Sequence, residues 1–241
     1  MQNGLYVALS AQISLSRRLE TIANNVANAG TAGYRADGVT FSTELAKAGD
    51  AKVAYVSPGD TFVSMRTGPL VMTGNPLDAA IQGEGFFAVQ SGGQTVYTRD
   101  GRMQMDETGG LMSLTGAPML DASGAPIQLD PSAGAPSIMR DGMVLQDGRQ
   151  VGALGLYQLD PTAQLTRAGT SGFTSDKPAQ PILNFNVNSV VQGAVEQSNI
   201  DPVHEMTRMI EVTRTFDGIT NGVTQTETSL TDAIKTLGGA A

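Results

Sequence analysis

The sequence predicts an α+β protein in which long N- and C-terminal helices pair as a coiled-coil-like domain around a central, mainly antiparallel β domain. Three observations carry this prediction. Apolar residues near the N-terminus recur in alternating steps of three and four. The same alternation returns near the C-terminus over a longer span. Between them lie short apolar runs separated by Gly, Asp and Pro, the pattern of strands and turns. The boundaries this implies are residues 1–34 and 199–241 for the helical domain, and 35–198 for the β domain with its linkers.

In the first segment, Leu5, Ala8, Gln12, Leu15, Leu19, Ile22 and Val26 fall on one side of a helix spanning about residues 3–28. Its stop is expected at Asn28-Ala29-Gly30, followed by a turn through Thr31, Gly33 and Tyr34. In the last segment the stripe is Met209, Val212, Phe216, Ile219, Val223, Thr226, Leu230, Ala233 and Leu237. Asp201 is the expected N-cap, Pro202 occupies the first helical position, and Glu205 adds a carboxylate to the first turn. Gly218 and Gly222 weaken this helix by about 1 kcal/mol each, so order is expected to come from packing. Stripes this long need partners, and the simplest partner for each is the other, antiparallel.

In the middle, Phe86-Phe87-Ala88-Val89 and Thr95-Val96-Tyr97-Thr98 read as strands around a Gly92-Gly93 turn. Asp100-Gly101 predicts a hairpin into Arg102–Met105. Leu111–Leu114, Met143–Leu145 and Leu154–Leu159 read as further strands of a barrel or sandwich-like sheet. Ala117–Ser137, rich in Ala, Pro and Gly, reads as excursions between strands.

Composition narrows the function. With 15 basic and 23 acidic residues the net charge is −8, and no basic stripe is available for nucleic acid. Cysteine is absent, which excludes disulfides, thiolate nucleophiles and cysteine-ligated zinc. His204 is the only histidine and reads as a surface or interface residue. Asp100, Asp106, Asp141 and Asp147 mostly sit beside glycine and read as turn formers, not as an acid–base pair. Gly83-Glu84-Gly85 is not followed by the Lys-Ser/Thr of a phosphate loop. No catalytic, cofactor or metal site is expected. No stretch approaches the ~20 apolar residues of a membrane helix, and the start of the chain does not read as a cleaved secretory signal. Amphipathic stripes at both ends favour a subunit that packs its helices side by side into a filament. In that setting Asn24, Asn25 and Asn28 are expected to form inter-subunit hydrogen bonds.

Four separated motifs strengthen the filament reading. Ile22–Arg35 resembles the N-terminal signature of bacterial flagellar rod and hook proteins. Gly74–Phe87 is similar to the start of their central domain, and Tyr97–Gly101 with Gly109-Gly110-Leu111 continues it. Gly193–Asp201, Glu205-Met206, Met209-Ile210 and Arg214–Phe216 resemble their C-terminal signature. The resemblance implies a non-enzymatic axial subunit of the basal-body rod, which crosses the periplasm and transmits torque to the hook. Its compact length and its opening Met1–Val7 point to the proximal rod, with the distal rod as alternative. A cell-wall-degrading enzyme or a tube protein of another secretion system are the remaining readings.

Partners implied are other rod proteins, further copies of the chain and the flagellar type III export apparatus, with no nucleic acid and no membrane insertion. The assembly residues implied are Asn24, Asn25, Asn28, Thr31 and Gly33 at one helix end, and Glu196, Ser198, Asn199 and Glu205 at the other terminus. With them stand the stripe residues Leu15, Leu19, Ile22, Val26, Met206, Met209, Val212, Phe216, Ile219, Val223, Leu230 and Leu237.

Overall fold

A computed structural model describes residues 2–48, 51–57 and 59–239. The chain divides into two compact units. One comprises Met1–Ala27, Asp37–Ser64 and Asp201–Ala241; the other comprises Asn28–Ala36 and Met65–Ile200. This differs from the partition expected from sequence chiefly at Asp37–Ser64, which groups with the helices.

The helical unit is built on α1 (Gln2–Ala27) and α2 (Pro202–Gly238), which pack against each other. Their direction is antiparallel. Gln12 Nε2 donates to Thr220 Oγ1 at 3.0 Å, while Ile22 and Asn25 share a cavity wall with Glu205 and Arg208. At about 1.5 Å per residue, α2 is longer than α1 by roughly 16 Å. The N-terminus of α2 forms as the sequence predicts: Asp201 is the cap, its carboxylate accepting from the amides of Val203 and His204, with Pro202 first in the helix. Nine threonines of α2, from Thr207 to Thr236, return their hydroxyls to the carbonyl one turn earlier. Such bonds satisfy the hydroxyl locally but do little to favour the helix over other states.

Asp37–Ser64 supplies two antiparallel ladders. Asp37–Thr40 pairs with Asp60–Val63, and Thr43–Ala48 pairs with Ala51–Val56. Helix α1 lies against Asp37–Thr40 and Ala51–Val56. Because α1 serves both these strands and α2, its most buried residues are Ser14, Ile22 and Asn25. The predicted stripe residues Leu15, Leu19 and Val26 are half-buried beside them, and Leu5 is exposed. The buried face is thus rotated from the apolar stripe toward the groove between two partners.

The β unit centres on an open six-stranded antiparallel sheet. Its order is Leu165–Ala168, Gly172–Ser175, Gln94–Thr98, Phe86–Ser91, Leu156–Gln158, Gln180–Pro181. The run Phe86-Phe87-Ala88-Val89 has no polar alternation because both faces of its strand are covered. Phe87 and Val89 join a large cluster with Met103, Leu111, Met119 and Leu156, while Phe86 and Ala88 join a second cluster with Tyr97, Leu120 and Tyr157. The hairpin Met143–Gln146 to Arg149–Ala153 turns at Asp147-Gly148, both at positive φ, as that dipeptide predicts.

Two expectations fail here. Asp100-Gly101 does not close a hairpin: Gln94–Thr98 pairs with Phe86–Ser91 and Gly172–Ser175, whereas Met103–Met105 pairs with Leu111–Ser113. Ala117–Ser137 is no excursion. Met119, Leu120, Ile127 and Leu129 lie buried in the two clusters, held by isolated bridges in place of long ladders.

Candidate functional site: a buried charge cluster and two helix faces

Charged residues are only 16% of the chain, so a charge in an apolar run must find a partner when the run is buried. Glu196 ends the strand Ala194–Glu196, which pairs with Leu70–Met72. Its carboxylate lies between two arginines: Arg35 Nη2 at 2.9 Å from Oε1, and Arg99 Nη1 at 3.0 Å from Oε2. All three side chains are at most 3% exposed. Gly68 N also donates to Oε1 at 2.9 Å. Arg99 donates further to the carbonyls of Ile81 and Gly83 at 3.1 and 2.7 Å, and its guanidinium stacks over Phe86. Burial is the largest influence on Arg35 and holds its pKa at about 10, with Glu196 pulling up and Arg99 pushing down. Burial likewise lowers Arg99 against the pull of Glu196.

The cluster ties together three segments that are far apart in sequence: Asn28–Ala36, Met65–Gly68 and Glu196–Ile200. Gly33 N donates to Glu196 O at 2.8 Å. Asn199 Oδ1 accepts from Ala36 N, and its Nδ2 donates to Arg66 O, each at 2.8 Å. Ser198 is buried and its hydroxyl accepts from Ile200 N at 3.3 Å. Thr31 closes the turn onto Asn28, its amide to the carbonyl at 3.0 Å and its hydroxyl to the side chain at 3.3 Å. Arg167 stacks over Tyr34 and Phe173 and donates to Arg35 O at 2.8 Å. Glycine is demanded at two points. A Cβ on Gly33, at φ +68, would stand 2.2 Å from Asp100 N, and one on Gly68 would stand 1.9 Å from Gln197 O.

In the helical unit, Asn25 exchanges both side-chain bonds with the backbone of Asp37, each at 2.9 Å. That amide mimics a strand partner at a ladder end and ties α1 to Asp37 within the chain. Asn24 is exposed. Glu205 is buried and accepts from Arg208 at 3.0 Å. Val212 is buried; Met209, Phe216, Ile219 and Val223 are half-buried; Met206 is exposed. The side chain of Leu230 lies outside the described residues. Leu237 is 82% exposed and Ile234 is 70% exposed. Apolar side chains Leu5, Tyr6, Leu9 and Ile13 of α1, and Val203, Met206 and Ile210 of α2, are also exposed.

Arg35, Arg99 and Gly68 are the members of this cluster that residue-by-residue reading passes over. Arg35 and Arg99 each end an aromatic-containing motif, Gly33-Tyr34-Arg35 and Tyr97-Thr98-Arg99, and Glu196 follows Ala194-Val195. Opposite charges embedded in such runs were the available signal. Among the described residues no group of three or more His, Cys, Asp or Glu is placed to hold a metal ion.

The chain matches three family descriptions: the flagella basal body rod protein over residues 5–35, the flagellar hook protein FlgE/F/G D1 domain over 80–146, and the flagellar basal body rod FlgEFG protein C-terminal over 191–236. It is 49% identical to the flagellar basal-body rod protein FlgF of Mesorhizobium japonicum, over 99% of both chains. Identity to FlgF of Rhizobium meliloti is 43% over the whole of both. Identity to the rod protein FlgG of Bacillus subtilis is 28%, over 97% of this chain and 98% of that one. With full-length identity at this level and motifs matched at both ends and in the middle, the chain belongs to the flagellar basal-body rod protein family.

Proposed function

We propose that this chain is a non-enzymatic axial subunit of the flagellar basal-body rod, placed in its proximal segment. It joins other rod proteins, and further copies of itself, through α1 and α2. The observation that carries the reading is the unpartnered apolar surface of the two helices: Leu9 and Ile13 on α1, Ile210 and Leu237 on α2. Apolar faces on helices of this length call for neighbouring helices. The proximal placement is supported by the high-identity FlgF relatives, against 28% for a FlgG relative. Delivery by the flagellar type III export apparatus to a rod crossing the periplasm belongs to the same proposal. The stripe residues Met209, Val212, Phe216, Ile219 and Val223 order the helix pair within the subunit. The exposed residues make the contacts between subunits.

The test is mass spectrometry and electron microscopy of basal bodies from cells with and without the gene. The expected result is the protein in intact rods and, on deletion, a truncated proximal rod without a hook. A complete proximal rod lacking only its distal section would make this the distal subunit. Absence of the protein from purified basal bodies would reject the rod reading.

A further inference from the structure

The strand Leu70–Met72 has a neighbour on one side only. It pairs antiparallel with Ala194–Glu196, and among the described residues no strand lies along its other edge. Antiparallel strands alternate between residue pairs that exchange both backbone bonds and pairs whose N–H and C=O groups point away. Thr73 N donates to Gly193 O at 2.7 Å, and Gln197 N donates to Pro69 O at 2.9 Å. Those bonds fix the alternation. Thr73, Val71 and Pro69 turn toward the partner strand, whereas Leu70 and Met72 turn outward. Among the described residues, the outward N–H and C=O groups of Leu70 and Met72 make no hydrogen bond. Water reaches this edge, since its three residues are 41–70% exposed.

The edge is also held in place. Ala194, Val195 and Glu196 behind it are buried. At its end Gly74 N donates to Gly193 O at 3.0 Å, and Thr73 Oγ1 donates to Asp78 Oδ2 at 2.7 Å. An added strand would meet extended backbone that needs no further ordering.

Open edges are normally blunted by charge, proline or short length. The six-stranded sheet follows that rule. Gln180–Pro181 at one edge is two residues long and ends in proline, and Leu165–Ala168 at the other carries Arg167. Leu70-Val71-Met72 is wholly apolar. Pro69 precedes it, but its nitrogen faces Gln197 and leaves the open side intact. Arg66 lies along the same ladder, its carbonyl accepting from Asn199 Nδ2. It is the one charged residue between Met65 and Leu77, and it is exposed. Among the described residues no ion pair engages it, in a chain whose net charge is −8. An unmatched cation beside an apolar edge calls for an acidic partner.

We propose that Leu70–Met72 is a docking edge for an extended segment of another polypeptide, added as an antiparallel strand. An acidic residue C-terminal to the paired part of that segment meets Arg66. Backbone bonds to Leu70 and Met72 give affinity, and the apolar side chains and Arg66 give selectivity. The edge belongs to the β unit and does not rest on the rod reading.

The test follows the backbone amide signals of Leu70 and Met72 by NMR of the full-length protein. The probe is the peptide acetyl-Thr-Val-Thr-Val-Thr-Ser-Glu-amide. Both signals should move downfield, saturate, and exchange with solvent more slowly. A peptide ending in Lys should bind about threefold more weakly, the scale of an exposed ion pair. The Glu peptide methylated on its first and third amide nitrogens should not bind. Met72→Pro removes an N–H that makes no bond within the chain, at the kind of edge position where proline is tolerated. It should abolish binding. Because proline also restricts the strand's own backbone, Arg66→Glu serves as a second variant and should make the Lys peptide the better binder. Signals unmoved by the Glu peptide, or moved equally by its methylated form, overturn the proposal. An unchanged preference in Arg66→Glu rejects the acidic partner. If the same signals move with protein concentration alone, two copies pair edge to edge, and the acid-bearing partner is likewise rejected.

Discussion

Glu196 and Leu237 mark opposite ends of how the two units of this chain are finished. Glu196, 1% exposed, is held by two arginines and a backbone amide inside the β unit. Leu237, 82% exposed, packs against little in the helical unit. The contrast is general. Among the described residues, Ile22 and Val212 are the buried apolar side chains of the helical unit, and every other buried apolar side chain belongs to the β unit. The β unit therefore carries the core that lets a chain fold alone. The helical unit is half of an interface, with much of its apolar surface left for another molecule. What differs is where the burial happens: within the subunit in one, on assembly in the other.

The comparison breaks most visibly at Glu196. Replacing it with glutamine keeps the shape but leaves two buried guanidinium groups without a counter-charge. Breaking a buried pair from one side costs about 3–5 kcal/mol. Glu196→Gln is expected to lower β-unit stability by that amount, read by denaturant unfolding followed by near-ultraviolet circular dichroism of Tyr97 and Tyr157. A loss under 1 kcal/mol would mean the cluster is not the clasp described here. Gly33→Ala comes next. Its left-handed backbone alone costs about 1–3 kcal/mol, and the Cβ would meet Asp100 N at 2.2 Å. An unchanged midpoint in the same assay would show that the 33–100 contact gives way freely.

Much of this was legible in the sequence, for reasons that vary by region. The α2 cap was readable because Asp201 and Pro202 act on their own backbone within three residues. The Asp147-Gly148 turn was readable for the same reason. The Asp100-Gly101 turn was misread because its neighbours, not the dipeptide, choose the pairing: Thr98 is taken by Phe87 on one side and Gly172 on the other. Ala117–Ser137 hid its core residues because they enter through isolated bridges with no period for a pattern to reveal. The cluster itself was half legible. Glu196 stood out in a matched motif, but pairing it with Arg35 and Arg99 needs contacts across 161 and 97 residues, which no local spacing encodes.

Acidification separates the units by another route. Asp106, Asp130 and Asp160, all in the β unit, are held below the usual carboxylate range, first by the hydroxyls of Thr108, Ser132 and Thr162 and then by backbone amides. A depressed folded-state pKa means the stabilisation is complete above the unfolded value of about 4 and is lost as pH falls through the folded value. The β unit should therefore hold its unfolding midpoint from pH 7 to about 5 and weaken below 4. Asp106→Asn, which keeps an acceptor but cannot titrate, should flatten part of that acid limb. An identical limb in the variant would remove this turn from the account.

In the helical unit Phe216 is half-buried at mid-stripe, so Phe216→Ala should cost about 1–2 kcal/mol there, below the 3–5 typical of a core phenylalanine. It should lower helical content and weaken assembly while leaving the tyrosine signals of the β unit in place. Loss of those signals would show that the two units do not fold separately.

The smallest effect on the isolated subunit is the most informative about the helices. Ile234 and Leu237 lie on the part of α2 that runs past the start of α1, and both are mostly exposed. Changing both to serine removes no buried contact, and exposed substitutions of this kind move stability by less than about 0.5 kcal/mol. Unfolding of the purified subunit should be unchanged, whereas incorporation into rods, counted by mass spectrometry of basal bodies, should fall sharply. If incorporation is normal, the overhang of α2 is spare surface and the assembly contacts lie nearer its first half, around Met206 and Ile210. If the isolated subunit is also destabilised, the end of α2 is held within the subunit, and the contrast between a finished β unit and an unfinished helical unit is weaker than the exposure of Leu237 implies.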